Sequence, residues 1–230
     1  MYLLACGVRA VLPRGDDLRT CIIDTPLSWP AVGRTLATFA EISFGFQCAV
    51  GVAALVNDKP LLRRLAYSAS VLTTVAQGFC WVGVATQRTI YNAVEESLWA
   101  VAAAILTALC AFVLYRHYNY PNYALPARSW RFATLFRLSG LGYVAYMVVI
   151  DVPMYYNRHQ EHMASGRPFY TFYDGVVDMA DCKNITRSFE DWKEEMPWMT
   201  PYFTVATQAS IFLTRYPEAP KAVKAAGKSE

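Results

Sequence analysis

The stretch Arg131 to His162, RFATLFRLSGLGYVAYMVVIDVPMYYNRHQEH, decides how this chain is read. It is apolar over a length that crosses a bilayer, because about 20 helical residues match the hydrocarbon core. Yet it carries Arg137 near one end and Asp151 near the other, with Pro153 and an HQEH cluster at its exit. Charges inside a span are costly and mark bundle interiors or wet cavities. The stretch is therefore a membrane span with polar work at one end.

Composition points the same way. Of 230 residues, 55% are hydrophobic and 17% charged, more apolar and less charged than a soluble domain. The net charge of +3 is small and the basic residues are scattered among apolar runs, which is not the footprint of a nucleic-acid binder. Nucleic acid is set aside as a partner.

Working outward from the opening stretch, the sequence predicts an all-α integral membrane bundle of five spans. They cover about 32–56, 65–87, 93–115, 132–156 and 196–214 within a single membrane domain, 1–214. Residues 1–32 read as a proline-bearing arm, and MYLLACGVRAVLP at its start is too short to span and is interrupted by Arg9. Without the basic start and cleavage site of a signal peptide, it is expected to remain in the mature protein. The loop 157–195 is too short for a domain and too aromatic for plain disorder, so it is expected to fold over the bundle as a cap with the arm. The tail 215–230 is basic and is expected to be flexible.

Five spans put the arm and the loop 157–195 on one face. The other face carries Lys59, Arg63, Arg64, Arg116, Arg128 and Arg131 in short loops, together with the tail. The positive-inside rule makes that face cytoplasmic and the cap extracytoplasmic, in the plasma membrane or an endomembrane. Asn184-Ile185-Thr186 is then a usable glycosylation sequon, with Asn184 the acceptor. Cys6, Cys21 and Cys182 share the oxidising side, where one pair can close a disulfide. Cys48, Cys80 and Cys110 lie in apolar spans as small packing residues.

Assigning depth along each helix brings Glu41, Gln87, Glu95, Glu96 and Asp151 to the same leaflet. Glu41, Glu95, Glu96 and Asp151 are the candidate catalytic residues, as acids, bases or cation ligands tuned by burial. The plainer reading pairs them with arginines: Arg34 or Arg88 for the glutamates, Arg158 or Arg34 for Asp151. Arg137 snorkels to headgroups. Asp151, Tyr155, Arg158 and His162 share one helical face, and Pro153 kinks it. His159 and His162 are weak metal candidates, since they lack a third ligand in standard spacing, and Asp174, Asp178 and Asp181 read as a solvated helical face. No metal and no cofactor is expected.

The segments GRTLATFAE (33–41), NAVEESLWA (92–100), DVPMYYNR (151–158) and EDWKEEMPWMTPYF (190–203) resemble a family of small polytopic membrane proteins. That resemblance covers most of the chain and implies no activity, cofactor or site. Signatures of nucleotide binding and of common hydrolases are absent. The function read from sequence is a non-catalytic accessory or scaffold component of a membrane assembly, with membrane lipids and other membrane subunits as partners. The alternatives are a membrane-embedded enzyme acting on a lipid or isoprenoid, and a proton- or cation-coupled carrier; no internal repeat supports the carrier.

Overall fold

The computed structural model describes residues 1–16, 18–193, 195–214, 217 and 221–222, with backbone alone for 197, 198, 201 and 221–222. The fold is all-α. Helices α1 (Tyr2–Val11), α2 (Pro30–Leu55), α3 (Pro60–Thr86) and α4 (Ile90–Asn119) are followed by α5 (Ala127–Tyr146), which runs through a π turn (Met147–Asp151) into α6 (Val152–Ala164). Four helices, counting Ala127–Ala164 as one, are long and apolar enough to cross a membrane.

Proline starts α2 and α3 at a first-turn position, where its missing N–H costs nothing. Each long helix extends past the apolar run that predicts it, because helical geometry continues into the flanking polar residues. Small residues set the spacing: a Cβ on Gly140 would lie 2.1 Å from Thr107 Oγ1, so only glycine lets α5 approach α4 this closely. The central core of Val52, Leu55, Leu106, Cys110, Val113 and Phe132 then fills with interdigitated side chains.

The wide π turn leaves no mark in the hydrophobic pattern of the sequence. Pro153 has no N–H to return to the carbonyl of Val149, and the helix accommodates that loss in the turn just before it. An α-helix drifts forward at every fourth residue, since 3.6 residues make a turn. The wider turn takes back this drift, so Tyr143, Met147, Asp151 and Tyr155 all line one internal cavity.

The expected fifth span, 196–214, is two short helices, α9 (Met196–Phe203) and α10 (Val205–Leu213), broken at Thr204. Pro201 deprives the first of a backbone bond. The pair still runs beside α2 from one end to the other: Tyr202 meets Glu41, Ser210 meets Gln47, and Leu213 lies by Gly51. The arm also differs from expectation, because its first third is α1 and packs in the bundle. Tyr2, Ala5 and Cys6 sit against Ala40, Phe44 and Tyr202, so α1 fills the space beside the broken pair instead of capping it.

The cap proper is built from residues 12–29 and 165–193. Strands β1 (Arg14–Gly15) and β2 (Thr20–Cys21) pair antiparallel, and β4 (Asn184–Ile185) adds parallel to β2. A disulfide joins Cys21 to Cys182 across this sheet, while Cys6, inside the bundle, stays free. Helix ends leave backbone groups without partners, and the cap satisfies several. Met179 O accepts the Ala31 N–H at 3.0 Å in the first turn of α2. Arg19 donates to Val84 O at 2.9 Å at the end of α3 and pairs with Asp178 at 3.0 Å. The short helices α7 (Phe172–Asp178) and α8 (Phe189–Trp192) complete the cap; Thr171 and Asp174 cap the start of α7, and Asp174 and Asp181 are exposed while Asp178 turns to Arg19.

At the far end, Arg116 bridges Asp58 at 2.8 Å and lies 3.9 Å over the ring of Tyr123, and Trp130 donates to Tyr118 at 2.7 Å. Arg137 is exposed. The strand β3 (Tyr123–Ala124) pairs with β5 (Lys221–Ala222). The rest of the expected flexible tail, apart from Pro217, lies outside the described residues.

The disulfide closes a sequence separation of 161 residues. Removing so long a crosslink by Cys182→Ser is expected to cost about 3 kcal/mol of stability. Thermal unfolding with and without reductant checks this: the wild type loses stability on reduction and the variant does not respond.

Candidate functional site

A cavity of about 860 Å³ lies between α2, α3, α4, α5–α6 and α9–α10, under the cap. Glu41, Glu95, Glu96 and Asp151, from three stretches of helix, all line it, whereas Gln87 does not. Antiparallel packing explains the convergence: each carboxylate sits in the cap-end part of its helix, whichever way that helix runs.

Each has a different environment. Glu41 is tied. Its Oε2 accepts from Arg34 Nη2 and from Gln77 Nε2, each at 2.8 Å, while Arg34 Nη2 also donates to Gln77 Oε1 at 2.8 Å. Its Oε1 accepts from the Tyr202 hydroxyl at 3.2 Å. The arginine pairing expected for Glu41 is therefore present, and Gln77 closes it into a triangle between α2 and α3. A lone glutamine among small residues gave no period or spacing that would single it out.

Glu95 is buried and accepts from Asn92 Nδ2 at 3.5 Å. Arg88 does not reach the glutamates as an ion pair; it lies 4.9 Å over the ring of Phe169. Asp151 is 3% exposed and accepts from the Tyr146 hydroxyl at 3.4 Å through Oδ1. Neither arginine proposed for Asp151 pairs with it: Arg158 bridges Glu195 at 3.7 Å, and Arg34 bridges Glu41. Among the described residues no lysine or arginine stands within ion-pair distance of Glu96 or Asp151.

The remaining candidates fall outside the cavity. His159 and His162 stack on Phe169, at 5.7 and 4.3 Å between ring centroids, and no group of three His, Cys, Asp or Glu suited to a metal occurs among the described residues. Arg88 over the same ring places a cation beside them. Asn184 is exposed on β4. Gln87 ends α3 in the left-handed region, at φ 57°.

An arginine network ties cap, α1 and cavity together. Asp16 pairs with Arg14 at 3.2 Å and with Arg9 at 3.6 Å. Arg14 is wholly buried and lies flat over Gly33, where any Cβ would collide with its guanidinium. Arg9 in turn lies 5.1 Å over the ring of Tyr202. Burial alone would push the Asp16 carboxyl up, but the field of Arg9 and Arg14 outweighs it and holds the group below the ordinary carboxylate range.

The polarity of the cavity is graded along its length. Every charged side chain lining it belongs to the cap-end half, whereas Phe44, Cys48, Ala103, Leu106, Phe136 and Phe212 line the far half. Leu135 and Val205 line the cavity and are also 54% and 61% exposed, so it reaches the side of the bundle between α5 and α10. Phe132 of α5 stacks on Phe212 of α10 at 5.7 Å, and Arg158 of α6 pairs with Glu195 at 3.7 Å.

Compared with protein-family models, with curated proteins and with solved structures, the chain matches none. What defines it is an all-α fold with four helices of membrane-crossing length and one internal, amphipathic, acid-lined cavity.

Two outcomes test the site's electrostatics. Arg34→Ala leaves the buried Glu41 without its cation and is expected to cost about 3 to 5 kcal/mol, whereas the Arg34→Met, Glu41→Leu double variant recovers most of it; thermal unfolding of the detergent-solubilised chain reads both. For Asp16 the folded pKa is depressed, so its contribution is complete above the unfolded value near 3.8 and is lost as the pH falls through the lower folded value. Cap proteolysis is expected to stay slow from about pH 7 to about pH 4 and to rise below that, and Asp16→Asn is expected to be equally susceptible throughout.

Proposed function

We propose that this protein spans a membrane, with its cap on the extracytoplasmic side, and takes a lipid or isoprenoid into the cavity, where Glu96 and Asp151 serve as acid and base. The observation that carries this reading is the graded cavity. A charged compartment at the depth of one leaflet joined to an apolar one at mid-depth matches an amphiphile lying head-up between helices. Its volume falls within the range of small-molecule sites, about 300 to 1,000 Å³, and its reach to the flank of the bundle offers entry from the bilayer.

The roles divide by environment. Glu41, held by Arg34, Gln77 and Tyr202, is a structural group, because an ion pair and two further hydrogen bonds fix its carboxylate. Asp151 keeps Oδ2 without a hydrogen bond among the described residues, and neither it nor Glu96 forms an ion pair there. Buried carboxyls so placed can exchange a proton with a bound head, which is the requirement for acid–base work.

A second reading, an accessory subunit, draws on the helix Ala127–Ala164. Only 11% of its most apolar window is buried, against 44–50% in the other three long helices. That face suits lipid or a partner helix.

Filling the apolar half by Ala103→Trp is the direct test. Wild-type protein purified in mild detergent is expected to carry about one lipid per chain, identified by mass spectrometry, and the variant to carry none while unfolding at the same temperature. Equal lipid in both would remove the cavity from consideration. Asp151→Asn is expected to lose conversion of the lipid. The orientation has its own readout: a glycosidase-sensitive shift that disappears in Asn184→Gln is expected from chain made in a secretory pathway, and a cytoplasmic loop would overturn the assignment.

A further inference from the structure

The charges lining the cavity do not balance. Six carboxylates face it, from Asp16, Glu41, Glu95, Glu96, Asp151 and Glu195, against the guanidinium groups of Arg9 and Arg34. Ion pairs account for three of the six: Asp16 with Arg9 and Arg14, Glu41 with Arg34, and Glu195 with Arg158. Glu95 accepts from the Asn92 amide at 3.5 Å. Glu96 and Asp151, on facing helices, form no ion pair among the described residues; Arg158, 5.8 Å over the ring of Tyr155, is engaged with Glu195. Two carboxyl groups without ion pairs, facing one confined and mostly apolar space, make that end of the cavity complementary to a positive charge.

The other side chains at this level say what kind of charge fits. Trp99 stands one turn below Glu96 on α4, and Tyr143, Tyr146 and Tyr155 face it from α5 and α6. The Tyr146 hydroxyl is anchored on Asp151. The π turn is what keeps Asp151 and Tyr155 on this face. Ring faces attract cations most strongly when the cation is diffuse and poorly hydrated, as an organic ammonium is. A bare metal ion would instead need several oxygen ligands at fixed short distances, and no three-ligand group occurs among the described residues.

Resting on the reading of the cavity as an amphiphile site, we infer that its ligand carries a cationic, ammonium-type headgroup, held between Glu96 and Asp151 and enclosed by Trp99, Tyr143, Tyr146 and Tyr155. The alkyl part then lies in the far half of the cavity. Anionic amphiphiles are excluded by the same carboxylates.

The test uses three probes of equal chain length: octadecyltrimethylammonium, octadecanol and octadecanoate. Each is added to the full-length protein in neutral detergent, and bound ligand is counted by native mass spectrometry, with Ala103→Trp giving the background of surface adsorption. Wild type is expected to retain the ammonium at least about tenfold better than the alcohol and to reject the carboxylate. The Glu96→Gln, Asp151→Asn pair is expected to lose that preference yet still hold the alcohol, and Trp99→Leu to weaken the ammonium alone. Equal retention of all three probes above the Ala103→Trp background would overturn the inference and leave the amphiphile site standing. Retention no better than that background for any probe would overturn both.

Discussion

The structure depends on keeping Arg34 neutralised inside an apolar bundle. An isolated guanidinium there would cost several kcal/mol in lost hydration, and Glu41 the same. Together, with Gln77 donating to Glu41 and accepting from Arg34, they become a hydrogen-bonded triangle that fastens α2 to α3. The unit recruits the broken helix pair, because the free oxygen of Glu41 accepts from Tyr202. Tyr202 offers its ring to Arg9, and Arg9 reaches Asp16 in the cap. One desolvated charge thus sets the positions of α1, α9 and the cap. It also leaves Glu96 and Asp151 outside the neutralised set, since the nearby arginines are already engaged.

The cap belongs to the same electrostatic arrangement. Arg14 over Gly33, Arg19 on the last carbonyls of α3 and the Cys21–Cys182 bond hold it against the ends of α2 and α3. A lid that excludes water lowers the local dielectric, and every charge–charge term beneath it grows. The ion pairs gain from that, and so does the penalty on carboxylates without partners. A cap fixed by a covalent bond and buried arginines is therefore part of the cavity's electrostatics.

Much of this was legible in the sequence, and the reasons for the rest are physical. The apolar runs mark the four long helices because burial and helix length leave a pattern that does not depend on tertiary detail. The convergence of Glu41, Glu95, Glu96 and Asp151 follows from alternating helix direction alone. What depends on contact was less accessible. Both Arg34 and Arg88 were plausible partners for the glutamates, and only packing shows that Arg34 is engaged with Glu41 while Arg88 goes to Phe169. Three cysteines share a face in sequence terms, but α1 turns into the bundle and takes Cys6 with it. Residues 196–214 are apolar enough to suggest a span, yet the break at Thr204 leaves two short helices.

Pro153 shows how a local rule acquires a distant consequence. Its sequence-level meaning is a lost hydrogen bond and a kink. Its structural meaning is a π turn that holds Asp151 and Tyr155 in register with Tyr143, so that one helix presents both a carboxylate and aromatic rings to the same space. Without the wider turn, continued α-helical drift would rotate Asp151 toward the flank, where lipid would face an ionisable group with nothing to offset it. A proline in a span is tolerated where neighbouring groups re-satisfy the backbone. Here the cost of that adjustment coincides with the position at which the carboxylate must point inward, which makes the π turn part of the site and not an irregularity beside it.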